Sequence, residues 1–255
     1  TVGSYTFIAQ AQGAVVQCLA LGASTGEYAD FDNVSVRLAE EDRSYNGNGL
    51  QVFGTVTKNP VATGADLVGY GGWDSGDYLE QPYNSDMEMF RSPAGSFCIM
   101  GWAKTNGSTS GRDVFFSTGT PGTAGTSRSL AAVSGGGFGF FGWTSPYDSY
   151  TTGLTLSPDV WYNFCYVYNN GTQYWYVNGK ENTVTDKPLL AYSGNPVVKI
   201  GDVITDNATT RSFNGELSLL RVSATIPSPE QIAKIYNDEK VLFQENAQAT
   251  LYGSS

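Results

Sequence analysis

Trp161-Tyr162-Asn163-Phe164-Cys165-Tyr166-Val167-Tyr168, then Asn169-Asn170-Gly171, then Thr172-Gln173-Tyr174-Trp175-Tyr176-Val177, and at once Asn178-Gly179: this stretch decides the fold class. Two runs rich in aromatic and β-branched residues flank an Asn-Gly pair, which supplies the positive φ angles that a tight hairpin turn needs. The second Asn-Gly repeats the device directly after the second run. A meander of antiparallel strands is therefore predicted from Trp161 to about Thr185.

Working outward, Phe97–Trp102 and Asp113–Ser117 read as buried strands and Leu130–Val133 as another. Small residues crowd between Thr118 and Gly142, among them Gly119, Gly122, Gly125, Gly135, Gly136 and Gly137, and predict long rim loops flanking that strand. Val197–Gly201 and Gly215–Val222 add two strands. Towards the N-terminus, Ser4–Ala9 and Val15–Leu21 are short β-type runs, and Phe31–Arg37 alternates with period two. The charge cluster Glu40-Glu41-Asp42-Arg43, the turn signal Asn46-Gly47-Asn48-Gly49 and the polar text that follows predict a linker over 41–66. At the other end, Ser228-Pro229-Glu230-Gln231 carries an N-cap serine, proline at the first helical position and glutamine at the capping-box position. Ile232, Ile235, Tyr236, Leu242 and Phe243 share one stripe, so a helix is predicted from Pro229 to about Gln244, docked on the strands.

Composition removes whole classes of function. The chain has 255 residues, 14 basic against 24 acidic side chains and a net charge of −10, the opposite of the basic face that a nucleic-acid binder needs. No apolar run reaches the roughly 18 residues of a membrane span. With no histidine, Ser–His–Asp and Cys–His nucleophile systems and His-ligated zinc sites are excluded. High glycine (31), tyrosine (16) and phenylalanine (13) with few charges suit sheets and turns. Cys18, Cys98 and Cys165 lack metal-site spacing. A Cys98–Cys165 bridge and buried free thiols are both open readings.

Several motifs occur in one order: Tyr78-Leu79-Glu80, Ser96–Trp102, Trp161-Tyr162-Asn163-Phe164, Trp175-Tyr176-Val177-Asn178-Gly179, Ile200-Gly201, Phe213-Asn214-Gly215-Glu216-Leu217 and Ser228–Ile232. Together they resemble the laminin-G-like, concanavalin A-like jelly-roll domains over roughly residues 67–236. The resemblance implies an all-β, antiparallel two-sheet sandwich with one C-terminal helix. Asp32–Arg37 resembles the final strand of carbohydrate-binding modules of the four/nine type. Residues 238–253 resemble the sequence that follows laminin-G-like domains in phage tail and fibre proteins. The expected organisation is thus 1–40 as terminal strands of a preceding β-sandwich module, 41–66 as linker, 67–226 as jelly roll, and 227–255 as C-terminal helix and tail.

The family implies glycan or protein recognition, and we expect a non-catalytic domain that binds a cell surface. Saccharide contact calls for aromatic faces on sugar C–H groups beside planar hydrogen-bonding side chains. Trp143, Tyr147, Asp148 and Tyr150, in a loop bounded by glycine, serine and proline, supply that chemistry; Trp73 and Asp74 are a second candidate pair. Trp102, Trp161 and Trp175 fall in strands and read as core. Related jelly-roll glucanases use alternating carboxylates on a strand; Asp86 and Glu88 come nearest but lack the third acid, so a glycoside hydrolase is only a third reading. Laminin-G-like domains often carry calcium on a rim loop, which would fall to Asp202, Asp206 and Asn207; the alternative is an ordinary polar loop. As partner we expect cell-surface glycan or polysaccharide, with neither nucleic acid nor membrane insertion. The protein would sit in a phage tail fibre of the virion, or at an extracellular surface. Val241, Leu242, Phe243, Leu251 and Tyr252 either fold back on their own domain or form the interface of a homo-oligomer, a trimer if the fibre resemblance holds. A purely structural fibre module is the rival function.

Overall fold

A computed structural model describes residues 49–248 except 108–110, 122, 124–125, 134–136, 143–149, 190, 192 and 205–210. Cys18 and the strands expected at Ser4–Ala9, Val15–Leu21 and Phe31–Arg37 lie outside the described residues. In chain order the strands are β1 Gln51–Phe53, β2 Thr57–Pro60, β3 Val68–Gly71, β4 Tyr78–Gln81, β5 Ser96–Thr105, β6 Arg112–Gly119, β7 Arg128–Val133, β8 Gly137–Gly142, β9 Tyr150–Thr151, β10 Trp161–Asn169, β11 Thr172–Val177, β12 Lys180–Asp186, β13 Val197–Ile200 and β14 Gly215–Ser223, followed by helix α1 Pro229–Glu239. They form two seven-stranded antiparallel sheets. The front sheet runs β1-β4-β13-β6-β7-β8-β9 and the back sheet β12-β11-β10-β5-β14-β3-β2. No described helix is long and apolar enough to cross a membrane.

The meander is β10–β11–β12 in the back sheet. Asn170 (φ 45°) and Gly171 (φ 99°) make the first turn, and Asn178 (φ 50°) and Gly179 (φ 72°) the second. Both are the two-residue, left-handed turns whose twist suits a hairpin. Alternation then sorts the side chains. Phe97, Ile99 and Ala103 of β5 with Phe164, Tyr166 and Tyr168 of β10 face the front sheet, where they meet Phe116, Leu130, Phe138 and Phe140. Aromatic rings span the layers: Phe138 stacks on Trp175 and Phe140 on Tyr166.

Two bulges override simple alternation. In β6 one extra residue against β7 sends both Phe115 and Phe116 into the core. In β14 one extra residue between Ser218 and Arg221 puts Arg221, rather than Leu220, opposite Met100 on the outer face. Leu219 accordingly has φ 50°, and Gly101 across the ladder leaves room for the bulge.

That outer face is where α1 docks. Ile232, with the half-buried Ile226 and Ile235, covers Cys98, Met100, Cys165, Val167 and Tyr176. The expected capping box is present, Ser228 accepting from the Gln231 N–H and Gln231 from the Ser228 N–H. The α-helix ends at Glu239, and a 3-10 turn, Lys240–Phe243, completes the segment expected as continuous helix. Phe243 folds back to stack on Trp102 (4.1 Å) and to meet Trp161 (5.1 Å). Val241 stays exposed, and Leu251 and Tyr252 lie outside the described residues.

Two further expectations are corrected. The compact unit begins at Leu50, not at residue 67, because β1 and β2 occupy sheet edges inside the stretch read as linker. Their polar text, with Pro60, is tolerated there because an edge strand need satisfy only one side of the ladder. The glycine-rich stretch before Gly142 contains β8, in which Phe138 and Phe140 alternate inward while Gly137 and Gly139 face out.

Candidate functional site

The loop residues Trp143, Tyr147 and Asp148 lie outside the described residues, and Tyr150 opens β9 with its backbone opposite Phe140. Trp73 is buried in the core at 7% exposure, against the backbone of Gly201. Its indole Nε1 has no hydrogen-bond partner among the described residues. Asp74 beside it is exposed and spends its carboxylate locally, accepting the N–H groups of Gly76 (2.6 Å) and Asp77 (2.9 Å). These hold it below the usual carboxylate range.

Asp202 follows Gly201, so the first of the expected metal ligands stands next in the chain to the glycine that packs on Trp73. Asp202 is buried; Lys199 Nζ donates to its Oδ2 at 2.9 Å and Ser212 Oγ to its Oδ1 at 3.1 Å. A carboxylate neutralised by an ammonium with both oxygens engaged does not fit a calcium ligand, which needs oxygens turned to the ion. Asp206 and Asn207 lie outside the described residues. Among the described residues no group of three His, Cys, Asp or Glu side chains could hold a metal.

Asp86 and Glu88 do not share a strand face as expected; they sit on a 3-10 turn, Ser85–Phe90, capped by Asn84. Glu88 accepts from Tyr83 Oη (2.6 Å) and twice from Arg91 (2.6 and 2.7 Å). Those hydrogen bonds hold its carboxyl below the usual range, so it stays ionised at neutral pH and is a poor general acid.

Another constellation stands on the outer face of the front sheet. Phe53 of β1 and Tyr78 of β4 are cross-strand partners, stacked at 4.6 Å and 14°. Lys199 of β13 approaches Tyr78 from the opposite side, with Nζ 3.8 Å from the ring centroid. Two residues along, Gln51 pairs with Glu80 and Glu80 with Lys199, placing an amide and a carboxylate in one row beside the aromatic one, while the Lys199 ammonium turns to Tyr78 and Asp202. Burial, then the charges of Glu80 and Asp202, push the Tyr78 phenol up, so it remains a hydrogen-bond donor at neutral pH. None of these was a candidate from the sequence: Tyr78 and Glu80 belong to a motif that carries the resemblance, and Lys199 only to an expected strand. Phe53 had no such signal, because its strand lies in the expected linker.

A buried acid was also missed. Asp113 of β6 lies opposite Ala132 at 7% exposure, with Oδ2 lacking a hydrogen-bond partner among the described residues. Burial pushes its carboxyl up to about 6, against the opposing N–H of Asn214. A folded-state value above the unfolded one means that the group's favourable contribution is complete below about pH 4 and is lost as pH rises through about 6. Asp113→Asn should therefore be more stable than the parent at pH 7 by about 1–2 kcal/mol, discounted from the full shift for partial solvation, with the gap closing by pH 4. Urea midpoints at both pH values check this. A less stable variant at pH 7 would show that the carboxylate has an ionic partner.

The family described as the concanavalin A-like lectin/glucanases superfamily matches residues 74–233. Among solved structures, domain 4 of AbnA, a GH43 extracellular arabinanase from Geobacillus stearothermophilus, in complex with arabinotriose, is 16% identical with a TM-score of 0.56. That match covers 73% of this chain and 87% of that one. The binding domain of Paraclostridial Mosquitocidal Protein 1 is 13% identical with a TM-score of 0.60, covering 78% and 49%. The binding domain of botulinum neurotoxin serotype D is 15% identical with a TM-score of 0.53, covering 75% and 47%. This chain thus spans about half the length of those two toxin domains. At such identities the likeness is one of fold. No curated protein matches in sequence.

Proposed function

This chain belongs to the concanavalin A-like lectin/glucanase superfamily, and on that premise we propose that it is a non-catalytic recognition domain that binds cell-surface glycan. The fold alone does not carry this, since one scaffold serves many functions. The supporting observation is the Phe53–Tyr78 stack beside the Gln51–Glu80 pair. A sugar ring presents apolar C–H groups on its faces and hydroxyls at its rim; with Tyr78 covered by Phe53 on one side and Lys199 on the other, the complements on this surface are the half-buried Phe53 ring and the Gln51 amide and Glu80 carboxylate beside it. Glu88, engaged by Tyr83 and Arg91, is not positioned as an acid catalyst, which favours binding over hydrolysis. The setting consistent with the C-terminal resemblance is a phage tail fibre or an adhesin. There, several copies, a trimer in a fibre, would multiply modest affinities by roughly 10²–10⁴.

A glycan array probed with the full chain tests the reading. Binding to a defined set of saccharides is expected, weakened roughly tenfold or more by Tyr78→Ala and by Phe53→Ala, the loss of one aromatic contact. Thermal melts of both variants confirm that they remain folded. Binding that survives both substitutions would move the site away from the front sheet. A parent chain that binds no saccharide would leave the purely structural role in a fibre.

A further inference from the structure

Cys98 of β5 and Cys165 of β10 face the same outer side of the back sheet. In the register between the two strands, Cys98 lies opposite Val167 and Cys165 opposite Met100, so the thiols are diagonal neighbours. Their Sγ atoms are 3.3 Å apart, closer than two sulfurs in ordinary contact. Both are free and 1% exposed. What seals them is α1, whose Ile232 packs into the same cluster.

We propose that Cys98 and Cys165 form a disulfide staple that ties β5 to β10, and that docking of helix α1 gates its formation. A disulfide needs a sulfur–sulfur distance of about 2.05 Å, so the two atoms must close by roughly 1.3 Å; because diagonal neighbours on paired strands lie about 7–8 Å apart, at the upper limit for a bridge, closure takes a local shift of the strands as well as side-chain rotation. With a small-molecule disulfide as oxidant, one cysteine thiolate attacks it, forms a mixed disulfide and releases one oxidant thiol. The second cysteine thiolate then attacks the protein sulfur of that mixed disulfide and releases the other. Two protons and two electrons leave the protein, and the oxidant departs as two thiols.

The folded state slows this reaction in two ways. No oxidant reaches sulfurs this deeply buried while α1 is docked. The contact with Cys98, together with burial, also holds the Cys165 thiol well above its usual range, so the attacking thiolate is scarce. The bond therefore forms during folding, before α1 settles, or through local opening of the helix. Once closed, it bridges positions 67 residues apart and constrains the unfolded chain.

The test exposes the full chain to oxidised glutathione, either during refolding or after folding, then blocks free thiols and maps peptides without reduction. Refolding is expected to give one cross-linked peptide pair containing Cys98 and Cys165 and a chain lighter by two hydrogens. Its thermal midpoint should lie roughly 5–10 °C above that of the reduced form. The already folded protein should react slowly, and Ile232→Ala, which loosens the helix, should react at least tenfold faster. Low urea on the unaltered chain should give the same acceleration should that variant fail to fold. Refolded protein that carries glutathione on both cysteines, keeps both thiols free, or pairs either with Cys18 would overturn the staple. A rate indifferent both to loosening of the helix and to low urea would overturn the gating.

Discussion

Trp102→Ala is expected to destabilise the domain by about 3–5 kcal/mol, in the range for truncating a buried tryptophan. Trp102 sits on the outer face of the back sheet at 3% exposure, yet it lies outside the core between the sheets. Its indole stacks on Phe243 at 4.1 Å and on Tyr236 at 5.7 Å, and its Nε1–H donates to Glu239 at 2.8 Å. Arg221, delivered to this face by the bulge in β14, holds the other oxygen of the same carboxylate. One side chain thus joins the helix, the 3-10 turn and the sheet. Trp102→Phe keeps much of the ring area and loses the donor, so it should cost less than half as much, and the difference between the two reports the stacking. Urea unfolding followed by far-UV dichroism reads both. A cost below about 1 kcal/mol for the alanine variant would mean that the C-terminal segment is held chiefly by Ile232 and its neighbours.

The role of Trp102 also shows what alternation can and cannot tell. Phe97–Trp102 reads as buried, and so it is; but Phe97, Ile99 and Ala103 face the other sheet, whereas Cys98, Met100 and Trp102 are covered by the helix. Burial on both faces was legible as an unbroken apolar run. What covers each face is tertiary, and nothing local in the sequence encodes it. The meander and the capped helix were legible because their signals are local: a turn needs Asn-Gly, and a helix start needs its cap. The two strands in the expected linker were lost for the complementary reason. β2 reads Thr-Lys-Asn-Pro, carries no buried residue and is a strand only because β3 offers it a ladder.

The candidate site divides along the same line. Asp86 and Glu88 share a face only if they lie on a strand, and the 3-10 turn capped by Asn84 removes that premise. Asp202 reads as an open oxygen ligand until Lys199, three residues before it, is seen to reach back across Tyr78. Lys199 could be placed on a strand from the Val-Val-Lys-Ile text. That its neighbours are Tyr78 and Glu80 depends on β13 pairing with β4 across more than a hundred intervening residues, a register no local pattern specifies.

Gly201→Ala should cost about as much as losing a core aromatic. Gly201 has φ +90°, where a Cβ is strained by roughly 1–2 kcal/mol, and the Cβ would run into the six-membered ring of Trp73. The backbone cannot move aside easily, because the Gly201 N–H donates to Phe115 O at 3.0 Å and its carbonyl accepts from the Phe213 N–H at 2.9 Å. Overpacking of that kind adds about 1–3 kcal/mol, for a total of roughly 3–5 kcal/mol. Trp73→Ala opens the space that the new methyl group needs. In that background Gly201→Ala should cost only the backbone strain, about 1–2 kcal/mol, and the shortfall from additivity measures the clash itself. A fully additive pair would mean that the cost is backbone strain alone and that the indole yields without penalty. A Gly201→Ala variant as stable as the parent would mean that this end of the sandwich is not held by the Trp73–Gly201 contact, and Trp73 would then be free to turn towards a ligand.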